Sequence, residues 1–344
     1  MASNPPIIDA DGHIFERDEE IHPYLAPPFH DEESFRNASF FPSIDGWRRG
    51  GVRSGHVDAA AWASFLDRTG LAGTIVYPTT GLGFGFCRDP EWAAAVAKAY
   101  NRFVADRYLK VDRRIQAVAL LPLLDAEAAA EELRHAVTEL GLVGGLLPAA
   151  GLRRPYGDRA FDPLFEAAQS LDVPLMVHGA PRKDVGIDFI DDPDAAFVLA
   201  HPYSVMTQFT SMVFERVWDR FPRLKVAFLE AGCGWAPYLM ERIDRRTEDR
   251  TGRRLATEQV RTSPIYFHAE LEEKDVLPLA LSVVGEDRFV YASDFPHESE
   301  ATVQRALQGF LARQDVSDGA KRKILYDNVL ALYRLERPAA AAAA

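Results

Sequence analysis

The stretch IIDADGHIFE, Ile7–Glu16, opens on two isoleucines and runs into Asp9, Asp11, His13 and Glu16. An apolar strand that ends in carboxylates and an imidazole is costly to bury unless those groups are paired or hold a cation. Residues i and i+2 of a strand share a face, so Asp11 and His13 point the same way. Oxygen and nitrogen donors of this kind suit zinc, manganese or iron(II). Asp9 shares that face but lies deeper, which assigns it a structural hydrogen-bonding role.

Outward from this strand the chain repeats the theme. Further apolar segments run Ala72–Thr79, Ile115–Leu123, Val143–Ala149, Val173–Gly179, Lys225–Gly232, Pro264–Glu270 and Arg288–Asp294. Each is short and apolar on both faces, as parallel strands covered by helices are. Helical patterns fill the gaps. Asp125 caps AEAAAEELRHAVTEL with Gly141 closing it, Pro90 opens EWAAAVAKAYNRFVADRYL, and Asp162-Pro163 opens LFEAAQSL. Eight strands alternating with helices predict an α/β fold of the (β/α)8 TIM barrel type, and no glycine-rich phosphate loop follows any strand to favour a Rossmann sheet. Residues 1–338 read as one barrel domain with a final helix over Lys321–Leu335, and residues 339–344 as a low-complexity tail. The Pro-, Phe- and Arg-rich stretch at about 17–56 reads as a long insertion after strand one, a lid on the catalytic face.

Composition narrows the class. Hydrophobic residues make up 47% of the 344 and charged residues 26%, enough for a large core. A formal net charge of −12 argues against nucleic acid or an anionic membrane as the main partner. Two distant cysteines, Cys87 and Cys233, make neither a disulfide framework nor a thiolate zinc site. With no signal-peptide core and no run of transmembrane length, the expected location is cytoplasmic.

Barrel enzymes carry their chemistry at the C-terminal ends of the strands. His13, His178 and His268 fall at or near the ends of strands one, five and seven, and His297 follows strand eight. Glu230, Glu270 and Asp294 end strands six, seven and eight. His201 lies in the segment after strand five; His22, His30 and His56 lie in or beside the insertion, and His135 on a helix. So regular a placement of ionisable groups on apolar strands points to ligation. His268 is expected to face the outer helices.

The set IDADGHIFE, PLMVHG, FLEAGCGWAPYLMERID and YASDFPHE resembles the amidohydrolase superfamily, and within it the group of aminocarboxymuconate-semialdehyde decarboxylase and related aromatic-acid decarboxylases. The likeness runs from about Ile7 to Leu335. It implies a barrel of the metal-dependent hydrolase type, with Asp11, His13, His178 and Asp294 as ligands of one divalent metal ion, zinc or manganese. Strand four, VGGLLPAA, lacks the lysine that bridges two metals in the binuclear hydrolases. The related decarboxylases carry a histidine after strand six where this chain has Glu230, which serves as a proton shuttle or a further ligand.

The expected activity is non-oxidative decarboxylation of a small carboxylated aromatic or unsaturated compound, with Asp294, Glu230 and His201 as catalytic residues. Glu16, Arg182 and His297 are the expected substrate contacts, Arg182 as a clamp on a carboxylate; His297 could also orient Asp294. One alternative is hydrolysis of an amide, lactone or C–C bond, with Asp294 as base toward water. A second is a non-haem iron or manganese oxygenase, with iron at the first site and added ligands from His201 and Glu230. A third is a catalytically silent barrel serving as a binding subunit. The expected partners are a small-molecule substrate and, by resemblance, further copies in a homodimer or larger homo-oligomer.

Overall fold

The computed structural model describes residues 6–31, 39–43, 57–179 and 183–336. Its strands are β1 (Ile8–Ile14), β2 (Gly73–Pro78), β3 (Ile115–Ala117), β4 (Gly145–Pro148), β5 (Leu175–His178), β6 (Val226–Leu229), β7 (Ile265–His268) and β8 (Phe289–Val290). All neighbouring pairs are parallel, in two ladders, β1-β2-β3 and β4 through β8 in sequence order. A few backbone hydrogen bonds bridge each seam in place of a continuous ladder. Ala119 N donates to Gly144 O at 2.8 Å and Leu146 N to Ala119 O at 2.8 Å. On the other side Ala10 N donates to Tyr291 O at 2.9 Å and Asp294 N to Asp11 O at 3.0 Å. The strands thus follow one another around the expected barrel.

Nine helices of eight residues or more stand among the described residues: α1 (Ala59–Thr69), α2 (Pro90–Val104), α3 (Ala126–Thr138), α4 (Asp162–Leu171), α5 (Pro193–Phe214), α6 (Trp235–Thr251), α7 (Leu255–Thr262), α8 (Val276–Val284) and α9 (Glu300–Ala312). Local chemistry sets their ends. The Asp58, Asp89 and Asp125 side chains accept amide bonds in the first turns of α1, α2 and α3, and Gly70 closes α1 in the left-handed conformation. Apolar side chains on strands and helices interlock into one large core, as burial on both sheet faces requires.

The strands are shorter than the segments the sequence predicts, β3 and β8 most of all, for identifiable reasons. Beyond Ala119, the Asn101 side chain of α2 captures both the N–H and the C=O of Leu120, ending strand pairing there. Beyond Val290, Tyr291 N donates instead to Ile324 O of the C-terminal helical segment, and the backbone turns at Asp294. The final helix is broken into Asp318–Arg322, a wider turn at Lys323–Asp327, and Asn328–Tyr333. Tyr333 inserts into the barrel, its hydroxyl donating to Ala10 O at 2.8 Å and meeting the Tyr77 hydroxyl.

Of the insertion, residues 32–38 and 44–56 lie outside the described residues, and so does the tail beyond 336. The described parts pack on α2: Phe29 and Phe40 lie edge-on to Trp92 at 5.6 and 5.4 Å, and Tyr24 edge-on to Phe103 at 6.0 Å. Cys87 and Cys233 are buried free thiols. No helix among the described residues is long and apolar enough to cross a membrane.

Candidate metal centre

Strand β1 carries Asp11 and His13 into the mouth of the barrel with no solvent exposure of the imidazole. Gly12 between them leaves room for the Trp62 ring of α1, whose indole N–H donates to His13 O at 3.0 Å; a Cβ there would collide with that ring. His178 is the last residue of β5. Glu230 and Asp294 follow β6 and β8 and both take left-handed backbone conformations, φ 52° and 51°. Non-glycine residues held there store strain that the surrounding packing must offset, a feature that clusters at functional sites.

The geometry converges. His13 Nε2 lies 3.5 Å from Asp11 Oδ1 and 3.5 Å from Asp294 Oδ1, and His178 Nε2 lies 3.0 Å from Asp11 Oδ2. His13 Nδ1 bonds the Pro78 carbonyl and His178 Nδ1 the Gly179 carbonyl. A carbonyl only accepts, so each Nδ1 carries the hydrogen and each Nε2 presents a bare lone pair. Those two nitrogens, Asp11 Oδ1 and Glu230 Oε2 are buried without a hydrogen-bond partner among the described residues. Buried polar atoms are seldom left unsatisfied, and the converging atoms of Asp11, His13 and His178 fit a divalent cation, with Glu230 Oε2 beside them. Asp11, His13 and His178 place ligand atoms within 4.8 Å of one another, as do His13, Glu230, Asp294 and His297.

Electrostatics agree with ligation. Burial, with His297 and His178 nearby, holds the His13 imidazole well below its usual range, in the neutral form a metal requires. Burial and the charges of Asp294 and Asp11 push the Glu230 carboxyl well above the ordinary carboxylate range. Glu230 Oε2 also lies 3.4 Å from His178 Nδ1 and 4.0 Å from His201 Nε2. His201, in the segment after strand five as expected, sits inside α5, close against Gly179, with Phe197 edge-on to it at 4.7 Å.

The remaining sequence-derived residues fall in several places. His297 Nδ1 donates to Asp294 Oδ1 at 2.7 Å, and its Nε2 bonds Thr79 Oγ1 at 3.0 Å. Burial would lower the His297 imidazole, but the hydrogen bond and charge of Asp294, with Asp11 and Glu16 behind, raise it. Glu16 is buried beside the mouth, and both its oxygens are taken by backbone amides, Thr79 N at 2.9 Å and Gly81 N at 2.7 Å. Arg182 lies outside the described residues. Asp9 lies beneath the cluster, accepting from Thr74 Oγ1, Ser293 N and Ser293 Oγ at 2.8 Å each and from Asp11 N at 3.2 Å.

Two residues were misjudged or missed in the sequence. His268 was expected to face the helices, but its neighbour Phe267 takes that side, meeting Phe209 of α5 and Trp235 of α6 at 5.9 and 5.5 Å. Strand alternation then turns His268 inward. It is buried, and neither ring nitrogen has a hydrogen-bond partner among the described residues. Thr79 gave no sequence signal at all, being one hydroxyl after a strand.

An eight-stranded parallel barrel with histidines and carboxylates converging at the strand ends defines a metal-dependent α/β-barrel enzyme. The family profile described as amidohydrolase matches residues 8–335, and the chain belongs to that family. It is 28% identical over 266 residues to the gamma-resorcylate decarboxylase of Polaromonas sp. strain JS666, covering 72% of this chain and 79% of that protein. It is 23% identical over 265 residues to the 2-amino-3-carboxymuconate-6-semialdehyde decarboxylase of Dictyostelium discoideum, covering 76% and 72%. The structure superposes on the crystal structure of a dihydroxybenzoic acid decarboxylase from Polaromonas sp. JS666 with bound manganese and the inhibitor 2-nitroresorcinol. That match has a TM-score of 0.71 at 21% identity, covering 97% of this chain and 98% of the other.

Proposed function

We propose that the protein is a manganese-dependent, non-oxidative decarboxylase of a small hydroxylated aromatic acid. The observation that carries this is the convergence of the bare His13 and His178 imidazole nitrogens and the orphaned Asp11 Oδ1, with Asp294 adjoining, in a chain whose curated relatives are decarboxylases. Asp11, His13, His178 and Asp294 would hold the metal, which supplies a Lewis acid able to fix a substrate carboxylate and an adjacent oxygen. The protein orients the ring so that the carboxyl group is turned out of its plane. Glu230, set across the cluster from β1, donates a proton to the ring carbon; as that C–H bond forms, the C–C bond to the carboxyl group breaks, its electron pair returns to the ring, and CO2 leaves. His201, 4.0 Å from Glu230, stands where it can return the proton. His268, inward-facing on β7, and Arg182 are the side chains we assign to substrate oxygens.

The test is CO2 release under nitrogen from 2,6-dihydroxybenzoate and a panel of other hydroxybenzoates by manganese-loaded protein. Oxygen-dependent turnover alone would overturn the proposal in favour of an oxygenase. Solvent oxygen appearing in the product from labelled water would make the reaction a hydrolysis. The exposed Phe197, Val198 and Tyr203 of α5 support the expected homo-oligomer, and light scattering that returns the mass of one chain would count against it.

A further inference from the structure

The Asp294 backbone is held, its N–H donating to Asp11 O at 3.0 Å, but it stands in a left-handed turn beyond a strand of two residues and its side chain is partly exposed. A ligand so placed needs its carboxylate aimed by neighbours, because a metal site loses affinity when a donor wanders. The neighbours form an unbroken chain. Glu16 Oε2 accepts from Thr79 N at 2.9 Å, and Glu16 Oε1 from Gly81 N at 2.7 Å, which fixes the turn after β2. That turn presents the buried Thr79 Oγ1 to His297 Nε2 at 3.0 Å, and His297 Nδ1 meets Asp294 Oδ1 at 2.7 Å. The His297 ring also lies 4.3 Å from that of His13, tilted by 30°, so it cannot swing away toward the barrel axis.

We propose that Glu16, Thr79 and His297 form a positioning strut that aims the Asp294 carboxylate at the metal, and that the Thr79 hydroxyl is the link that sets His297. A hydroxyl both donates and accepts. It therefore holds His297 Nε2 whether that nitrogen is bare or protonated, and the strut works in either state of the imidazole. Glu16 and His297 act here through Asp294 rather than on the substrate. Thr79→Val removes the hydroxyl with little change of shape, whereas Thr79→Ser keeps it.

The proposal rests on the metal reading of the site, and the experiment separates the two. Apo-protein is titrated with manganese by calorimetry, with no substrate present. Thr79→Val is expected to weaken manganese binding about tenfold and Thr79→Ser to stay within about threefold of the wild type, the range seen when groups behind metal ligands are removed. In 15N spectra of the apo-protein the His297 Nε2 resonance moves in Thr79→Val and not in Thr79→Ser. Thr79→Val binding manganese as the wild type does, or Thr79→Ser binding as weakly as Thr79→Val, would overturn the strut and leave the decarboxylase reading intact. A wild type that binds no manganese overturns both. Should Thr79→Val fail to fold, His297→Gln carries the test: about tenfold weaker binding supports the strut, and unchanged binding overturns it.

Discussion

Glu230 and Asp294 show how much one residue can be asked to do. Both are carboxylates in left-handed backbone, where each side chain costs on the order of 1–3 kcal/mol, and both follow strands of the barrel. Their roles separate by substitution. Glu230→Gln keeps the shape and removes the transferable proton, so decarboxylation should slow by about a hundredfold to ten-thousandfold. Manganese affinity should stay within about threefold, as read by calorimetry; an equal loss of affinity would make Glu230 a ligand. Asp294→Asn should behave in the opposite order, weakening manganese binding first. Asparagine tolerates the left-handed conformation, so its apo-protein melting temperature should match the wild type.

At the level of the element, the Asn101 side chain ties α2 to the segment that follows β3. Asn101 donates to Leu120 O at 3.0 Å and to Glu132 Oε1 at 2.7 Å, and accepts from Leu120 N at 2.8 Å. Asn101→Ala would strand three buried partners, and chemical denaturation should show a loss of about 3 kcal/mol. Glu132 belongs to the same knot: burial raises its carboxyl above the usual 4.5 despite the bond from Asn101. A carboxyl whose folded pKa is raised favours the folded state fully below the unfolded value, and that contribution is lost as pH rises through the folded one. Glu132→Gln keeps the acceptor without the charge. Its stability relative to wild type should therefore increase as pH rises from 4 towards neutrality, and a constant difference across that range would refute the argument.

For the molecule as a whole, closure of the barrel passes through Asp9. Its four hydrogen bonds link β1, β2 and the segment after β8, yet burial still pushes its carboxyl up to about 6. The donors satisfy the group without fully replacing water. Asp9→Ala should cost about 3 kcal/mol or more, because the Thr74 and Ser293 groups lose their acceptor together. Asp9→Asn should cost about 1 kcal/mol or less at pH 8, since both hydroxyls can rotate to accept from the amide. Denaturant midpoints of the two variants decide this.

The sequence by itself determined the barrel and singled out the residues we propose as metal ligands. Apolar runs of strand length must be covered on both faces, and ionisable residues recurring at their ends have nowhere inexpensive to go except a shared cation. Asp11, His13, His178 and Asp294, the ligands we propose, stand out in the sequence for that reason, as does the deeper, structural place of Asp9. Tertiary structure alone decided what depends on partners far apart in the chain. Which face His268 takes follows from Phe267 packing on α5 and α6. The length of β3 follows from Asn101, and of β8 from Ile324. Glu16 reads as a site acid in sequence, but its oxygens go to backbone amides that exist only once the turn after β2 has formed. The strut from Glu16 to Asp294 spans strands one, two and eight, and no local pattern encodes it because hydrogen bonds across a closed barrel are set by its closure.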